Sequence, residues 1–328
     1  TFKQNFGKTP QEIFETFDMT AIHAASIGQV HKATKDGKTL AVKIQYPGVG
    51  DSVVSDLNMV RPFARQIMGF KDSEVEVYFE EVKARLLEET DYELELQRGT
   101  MLAEKCAHLP NLFFPKYFPE YSSSRVITME WLEGIHLDKF LATNPSQETL
   151  NKAGQALWDF YNFQLHKLQI MHADAHPGNF LFREDGTVGI LDFGCVKEIP
   201  LDFYESYFKL IQPGILNDRE AFLQACKDAE LILENDKQED IDFVIQIFHE
   251  TMSLVCQPFH VKEFDFGDDN YFAKIYEYGE AAANNKEMRK QPPRGSKHGL
   301  YMNRAFFGLY SILNQLKAKV ETRKYLDK

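Results

Sequence analysis

The sequence predicts an α+β fold with two lobes, a smaller strand-rich lobe followed by a larger helical one. Two strand-like runs, residues 22–32 and 39–45, lie on either side of a turn at Asp36-Gly37, which indicates a β-hairpin. Beyond residue 199, apolar residues recur instead at helical spacing. The 328 residues, 44% of them hydrophobic, are sufficient for two lobes with their own cores. We therefore assign residues 1–130 to the first lobe and 131–328 to the second.

Composition excludes several classes of protein. The net charge of -12 argues against a general nucleic-acid binder, so we expect no nucleic-acid partner. The cysteines are widely spaced without a Cys-x-x-Cys pair, which predicts reduced thiols and neither a disulfide framework nor a zinc site. No signal peptide and no run of about 18 apolar residues is visible. We expect an intracellular protein, cytoplasmic or organellar, with any anchor or targeting segment outside the printed sequence.

The predicted hairpin has features of a nucleotide site. Its strands cover residues 22–32 and 39–45. The first of these segments contains a loop rich in small residues, namely Ala24, Ala25, Ser26 and Gly28. Small residues let the backbone approach phosphates, and Lys43, the last residue of Ala-Val-Lys, can reach them from the second strand. By itself the stretch is equally compatible with a plain surface hairpin.

Helical patterns over residues 51–70 and 74–98 predict a helical element, about 51–98, inserted in the first lobe. It ends in a cluster of acids, namely Glu88, Glu89, Asp91, Glu93 and Glu95. Asp91 and Glu95 are four apart, so a continuous helix would place them on one face. Such a cluster is either a solvated face or has a partner, a lysine or a metal. In kinases a helix Glu holds the strand Lys on the phosphates, and Glu95 is our candidate.

Residues 111–130 are predicted as strands that lead to the crossing between the lobes. Met129, Glu130 and Trp131 lie where a kinase chain passes from one lobe to the other, so backbone groups near Glu130 are expected to meet the adenine. A long helix over 150–168 then leads into the stretch HADAHPGN, residues 172–179.

This stretch and the following Asp192-Phe193-Gly194 predict phosphoryl transfer. An acid in a loop, an amide five residues later and a second acid after a short hairpin are the usual set for this chemistry. Asn179 and Asp192 offer oxygen ligands, which Mg²⁺ prefers, and Asp174 can orient a nucleophile or accept its proton. The alternative is a transition-metal site or a solvated loop formed by His172, Asp174 and His176.

Near the end of the chain, residues 300–316 form a strong amphipathic pattern. It predicts either a core helix or an interfacial helix that touches a membrane.

Five stretches together resemble one family. AASIGQVH, LAVKIQYPGV, EETDYELE, HADAHPGN and LDFG, in this order, are similar to the UbiB/AarF/ADCK family of atypical kinase-like proteins. Aminoglycoside and choline kinases share the Asp, Asn and DFG set but lack this loop and this acidic motif. The resemblance implies a protein-kinase-like two-lobed fold with a helical insertion in the small lobe and a helical large lobe.

The resemblance also implies roles for individual residues. Ala24, Ala25 and Ser26 would form the family's alanine-rich nucleotide loop, with Lys43 as the ATP-anchoring lysine and Glu95 as its partner. The other matches are Glu89 and Asp91, acids that face the nucleotide and metal region, the catalytic-loop acid Asp174, and the Mg²⁺ ligands Asn179 and Asp192. In two places the sequence departs from the family pattern. The printed residues contain no Lys-x-Gly-Gln motif, and His23 stands where many members have Ala.

Function follows from the resemblance as an expectation. The family implies MgATP or MgADP binding and ATPase or phosphotransferase activity in the biosynthesis of ubiquinone or related prenyl lipids. Expected partners are a prenyl-lipid or quinone precursor, a membrane surface, and proteins of a biosynthetic complex or a second copy of the chain. Two alternatives stay open: a nucleotide-gated lipid-binding or scaffold protein with little catalysis, and a kinase acting on a soluble alcohol.

Overall fold

The computed structural model describes residues 1–25, 27–50 and 86–325 apart from 289, 290 and 293, together with single positions 52, 55, 57, 59 and 83. The chain divides into two compact units. Unit 1 consists of Thr1–His108, Phe113–Glu133 and Gly189–Cys195, and unit 2 consists of Leu109–Leu112, Gly134–Val188 and Val196–Lys328. Most of the predicted helical insertion, up to residue 85, lies outside the described residues.

Unit 1 is built around an antiparallel sheet. Its elements are α1 (Phe2–Phe6), α2 (Pro10–Ile13), β1 (Thr16–Phe17), β2 (His23–Ala25), β3 (Gly28–Lys35), β4 (Lys38–Gln45), α3 (Tyr92–Cys106) and β6 (Val126–Glu130), while β5 (Leu112–Phe113) spans the boundary between the units. The strand order is β1-β3-β4-β6, with β2 paired to β3. The strand predicted between β5 and β6 is interrupted by a 3₁₀ turn, Pro119–Tyr121, because proline cannot donate to a strand ladder.

The β3–β4 hairpin positions Lys43. Asp36 and Gly37 both have positive φ angles, 51° and 71°, as a tight two-residue turn between antiparallel strands requires. This turn sets the register, in which Val30 pairs with Lys43. Val42 is fully buried in an apolar cluster with Phe2 and other residues. Because neighbouring side chains in a strand point to opposite faces, Lys43 points away from this cluster.

The helix predicted over residues 74–98 is interrupted just before α3. Residues 86–89 are helical, Thr90 lies in a turn, and α3 begins at Tyr92. Asp91 precedes the helix as its N-cap and accepts a hydrogen bond from the Leu94 amide at 3.1 Å. Glu95 lies in the first turn. The expectation that Asp91 and Glu95 share a face of one continuous helix is therefore wrong. The physical reason is that a helix start leaves amides without partners, and an Asp side chain satisfies one of them.

Unit 2 is mainly helical. Its helices are α4 (Leu137–Ala142), α5 (Gln147–Phe163), α6 (Leu201–Leu210), α7 (Arg219–Asp228), α8 (Gln238–Val255), α9 (Asp269–Asn284) and α10 (Lys297–Gln315). Its strands are β7 (Ile170–His172), β8 (Phe180–Phe182), β10 (Val196–Glu198), β11 (Glu263–Asp265) and β12 (Lys319–Glu321), and β9 (Val188–Ile190) lies where the chain returns to unit 1. Helix α9 and the β11–β12 pair were not predicted from the sequence.

The long helix α5 anchors the start of the 172–179 loop. A π-helical turn, Gln164–Leu168, ends the helix, and Gln169 follows with a positive φ angle. The Gln164 side chain accepts a hydrogen bond from the His172 amide at 3.0 Å. Strand β7 then pairs with β10. The loop is thus fixed at its first residue by a buried side chain of the preceding helix.

Helix α10 packs in the core of unit 2, as the first of the two alternatives predicted. One face is buried, including Tyr301, Met302, Ala305, Leu309 and Leu313. Leu300 and Phe307 are its exposed large apolar residues. Among the helices that the structure describes, none is long and apolar enough to cross a bilayer.

Helix α10 also packs against the 172–179 loop through a glycine. A Cβ atom added at Gly308 would lie 2.5 Å from the Ala175 carbonyl oxygen and 2.7 Å from the Ala175 Cβ. Real Cβ atoms do not approach backbone so closely, so a larger residue would separate the helix from the loop.

Gly308→Ala should therefore lower the free energy of unfolding by about 1–3 kcal/mol, because the added methyl group overlaps with the loop backbone. Urea unfolding followed by circular dichroism measures the change. Gly279→Ala in α9 is the matched control, since its Cβ would meet no atom within 4 Å. Greater helix propensity should make the control neutral or stabilising by about 0.5–1 kcal/mol. Equal effects of the two changes would contradict the packing explanation.

Candidate active site

Lys43 lies between two carboxylates in unit 1. Its Nζ atom donates hydrogen bonds to Glu95 Oε1 and Oε2 at 2.9 and 3.0 Å and to Asp192 Oδ2 at 3.2 Å. The side chains of Lys43 and Glu95 are 8% and 4% exposed, whereas that of Asp192 is 42% exposed. The fold thus joins a strand lysine, a helix glutamate and the DFG aspartate. The sequence predicted the contact of Lys43 with Glu95 but not its contact with Asp192.

The two carboxylates keep Lys43 charged. Burial alone would lower the pKa of Lys43, but attraction by Asp192 and Glu95 outweighs it and raises this pKa well above its ordinary value. The Tyr92 ring lies 5.0 Å from Nζ, which adds a cation–π contact. A desolvated positive charge at this position is suited to bind an anion such as a nucleotide phosphate.

Asp192 has an unusual backbone. Its φ angle is 52°, in the left-handed region that few residues other than glycine adopt. Its Oδ1 atom accepts a hydrogen bond from the Gly194 amide at 3.1 Å, a local turn that leaves Oδ2 for Lys43. Backbone of this kind costs free energy and is found preferentially at functional sites.

The acidic cluster before α3 has cationic neighbours. Arg98 Nη1 donates a hydrogen bond to the Gly194 carbonyl at 3.2 Å and lies 3.5 Å from Glu88 Oε2. Asp91 caps α3, and Glu89 is partly buried at the end of the helical stretch that precedes it. The sequence predicts a lysine or a metal as a partner of these acids and does not single out Arg98. The signal was available, because Arg98 follows Glu95 by three positions on the same helix.

In unit 2, Asp174 is held from two sides. Asn179 Nδ2 donates to Asp174 Oδ2 at 2.9 Å and to its carbonyl oxygen at 3.0 Å. Arg304 Nη2, from α10, donates to Asp174 Oδ1 at 2.7 Å. The sequence motif identifies Asp174 and Asn179 as candidates but gives no signal for Arg304.

The side chains fit a hard cation better than a transition metal. His172 is fully buried against the Tyr161 hydroxyl, and His176 Nδ1 accepts a hydrogen bond from the Gly178 amide. Within the described ranges, no three His, Cys, Asp or Glu side chains are grouped so as to hold a metal ion. Asn179 uses its amide nitrogen for Asp174, so its amide oxygen is left for a ligand. That oxygen and the Asp192 carboxylate are donors of the type that Mg²⁺ takes.

The small-residue loop forms short strand pairs. Ala24 pairs with Gln29 and Ala25 with Gly28, whereas Ser26 lies outside the described residues. A Cβ atom at Gly28 would lie 2.4 Å from the Ile44 carbonyl oxygen, so the close strand approach requires glycine here. Glu130 ends β6, is exposed, and accepts a 3.4 Å hydrogen bond from the Lys116 amide.

Comparison with known proteins assigns the chain to a family. The model of the ABC1 atypical kinase-like domain matches residues 1–226. The chain belongs to the ABC1 atypical kinase-like family. Relatives named COQ8 and AarF-domain kinases match as well, which confirms the resemblance identified from the five motifs.

Two curated relatives match along nearly the whole chain. The probable serine/threonine-protein kinase abkA of Dictyostelium discoideum is 28% identical over 342 residues, which cover 98% of this chain and 59% of the relative. The mitochondrial atypical kinase COQ8B of Danio rerio is 28% identical over 334 residues, which cover 99% of this chain and 51% of the relative. The chain therefore spans about half the length of these relatives.

A solved structure supports the fold. The complex of Rv3197 with erythromycin from Mycobacterium tuberculosis matches with a TM-score of 0.76 and 25% identity, covering 100% of this chain and 80% of the other. Together with the family match, this confirms the predicted kinase-like α+β fold.

Removing the Lys43 charge should destabilise the protein more than removing the Glu95 charge. Lys43→Met leaves two neighbouring carboxylates without their cation, whereas Glu95→Gln leaves Lys43 with Asp192. We expect Lys43→Met to lower the free energy of unfolding by about 3–5 kcal/mol, the usual loss for a broken buried ion pair, and Glu95→Gln to lower it less. Urea unfolding at neutral pH measures both changes. The reverse order would contradict the assigned electrostatics.

Proposed function

We propose that this protein is an atypical kinase-type enzyme that binds ATP or ADP with Mg²⁺ and transfers or hydrolyses the terminal phosphoryl group. The observation that carries the proposal is the buried Lys43, hydrogen-bonded to both Glu95 and the DFG Asp192 at 2.9–3.2 Å. Kinases place an equivalent lysine on the nucleotide phosphates. The family assignment supports the same chemistry.

The residues have distinct proposed roles. Lys43, oriented by Glu95, neutralises charge on the α- and β-phosphates, and Asp174 accepts the proton of the attacking hydroxyl or water. Asn179 and Asp192 would each offer an oxygen ligand to Mg²⁺, which when bound would supply further charge neutralisation on the phosphates. The other candidate residues from the sequence are assigned to contacts with the nucleotide and metal region. They are Ala24, Ala25, Ser26, Glu89, Asp91 and Glu130.

The proposed setting is ubiquinone or related prenyl-lipid metabolism at a membrane surface. Support comes from the family and from the names of the relatives, which include mitochondrial COQ8 kinases from Danio rerio and Schizosaccharomyces pombe. The proposed acceptor or effector is a prenyl lipid or quinone precursor, and the proposed location is organellar or cytoplasmic, peripheral to a membrane.

A second candidate is a nucleotide-gated binder of apolar molecules. The Mycobacterium tuberculosis relative, solved with erythromycin, favours it. Helices α6, α8 and α10 of unit 2 line an apolar cavity, but its volume is about 80 Å³. Sites for small molecules usually measure about 300–1,000 Å³, so this cavity adds little support. We therefore rank this candidate second.

Release of ADP from MgATP tests the proposal. The unmodified chain should turn over MgATP, and anionic liposomes should stimulate it. Asp192→Asn and Lys43→Ala should each lower turnover by at least about 100-fold, because electrostatic stabilisation supplies most of the rate in this chemistry. A coupled assay for ADP with and without liposomes measures this, and circular dichroism verifies that the variants are folded.

Full turnover in both variants would reject the assigned site. Binding of MgATP without turnover above that of Asp192→Asn, even with liposomes and a prenylated phenol, would favour the nucleotide-gated binder instead.

A further inference from the structure

The loop that contains Asp174 lacks a cation of its own. Residues 172–179, HADAHPGN, include neither lysine nor arginine. Phosphoryl transfer concentrates negative charge around the attacking and transferred groups, and enzymes of this type usually place cations near it. A cation that contacts this loop is Arg304 of α10, 130 positions away from Asp174 in the sequence.

Arg304 and Asn179 hold the Asp174 carboxylate by different oxygens. Arg304 Nη2 donates to Oδ1 at 2.7 Å, and Asn179 Nδ2 donates to Oδ2 at 2.9 Å. Two such contacts fix the rotation of the carboxylate group as well as its position. An ionised carboxylate has about four acceptor sites, so each oxygen can still accept a further hydrogen bond. These two contacts therefore orient the Asp174 carboxylate and leave it able to accept a proton.

Packing of α10 sets the position of Arg304. Gly308, one turn later, lies directly against Ala175, and Ala305 is fully buried. Residues four apart occupy the same side of a helix, so the Gly308 contact brings Arg304 to the Asp174 side of the loop. The ion pair itself is partly exposed, with 52% of the Arg304 side chain and 35% of the Asp174 side chain accessible. Such pairs contribute little to stability, so removing Arg304 should leave the fold intact.

We propose that Arg304 is a positioning residue for the phosphoryl transfer, an inference that rests on the proposed function. Its guanidinium group holds Asp174 in the orientation that accepts the proton of the acceptor. The acceptor O–H bond breaks and its proton passes to Asp174. The acceptor oxygen bonds to the terminal phosphorus as the bond from that phosphorus to ADP breaks, and Asp174 later returns the proton to solvent.

Steady-state kinetics of Arg304 variants test this role. Arg304→Ala should lower kcat for ADP release by up to about 100-fold, since misplacing a reacting group by about 1 Å has an effect of this size. The KM for MgATP should change little, because Arg304 contacts Asp174 and is not assigned to the nucleotide. Arg304→Lys should recover only part of kcat, because it keeps the charge but lacks the planar fork of donors.

Chemical rescue separates positioning from a merely structural role. Guanidinium ion at low, non-denaturing concentration should raise kcat of Arg304→Ala and leave that of Arg304→Lys and Asp192→Asn unchanged. Arg219→Ala is the matched control, because Arg219 forms a similar exposed pair with Asp242 at 3.0 Å in the same unit. It should keep the kcat of the unmodified chain.

The outcomes distinguish the two proposals. If the unmodified chain is active and Arg304→Ala has the same kcat, the role of Arg304 is rejected and the proposed function stands. A fall in kcat that guanidinium does not rescue, accompanied by a lower melting temperature, also rejects it. If the unmodified chain shows no turnover above Asp192→Asn, the proposed function fails and the role of Arg304 fails with it.

Discussion

Unit 1 depends on the burial of one positive charge. Removing an ammonium group from water costs several kcal/mol unless oppositely charged groups surround it closely. Lys43 meets this condition through Glu95 and Asp192. Strand β4, helix α3 and the DFG turn must therefore come together with a tolerance of a few tenths of an ångström. Their arrangement holds the Lys43 ammonium group in one position between the two carboxylates.

The position at which α3 begins brings a carboxylate to Lys43. Asp91 caps the helix, and this places Glu95 in the first turn, where the positive end of the helix dipole also favours a carboxylate. Arg98, one turn further along, contacts the carbonyl of Gly194. One short helix thus connects with both the lysine strand and the DFG turn. Substitutions in the segment just before α3 would therefore alter the surroundings of Lys43, even where the substituted residue contacts no nucleotide.

Unit 2 has a similar arrangement around Asp174 with the signs reversed. There a carboxylate is held by an amide from its own loop and by an arginine from α10. Close packing of Gly308 on Ala175 ties the position of that arginine to the backbone of the loop. Helix α10 therefore contributes an arginine contact to the loop that contains Asp174, in addition to its part in the core of unit 2.

The sequence by itself determined the residue types of the site and the local structure around them. The turn at Asp36-Gly37 sets the hairpin and the register of Lys43, and the spacing within HADAHPGN selects Asp174 and Asn179. These features are local, so a few neighbouring residues encode them.

The sequence predicted the pairing of Lys43 with Glu95, but only the tertiary structure decided the other contacts of the charged groups. The start of α3, the contact of Arg98 with the DFG turn and the pairing of Arg304 with Asp174 depend on packing between distant segments. Many charged residues in the chain are chemically suitable partners, and spacing does not distinguish among them. Close packing does, because it brings a single arginine of α10 within hydrogen-bonding distance of Asp174 from 130 positions away.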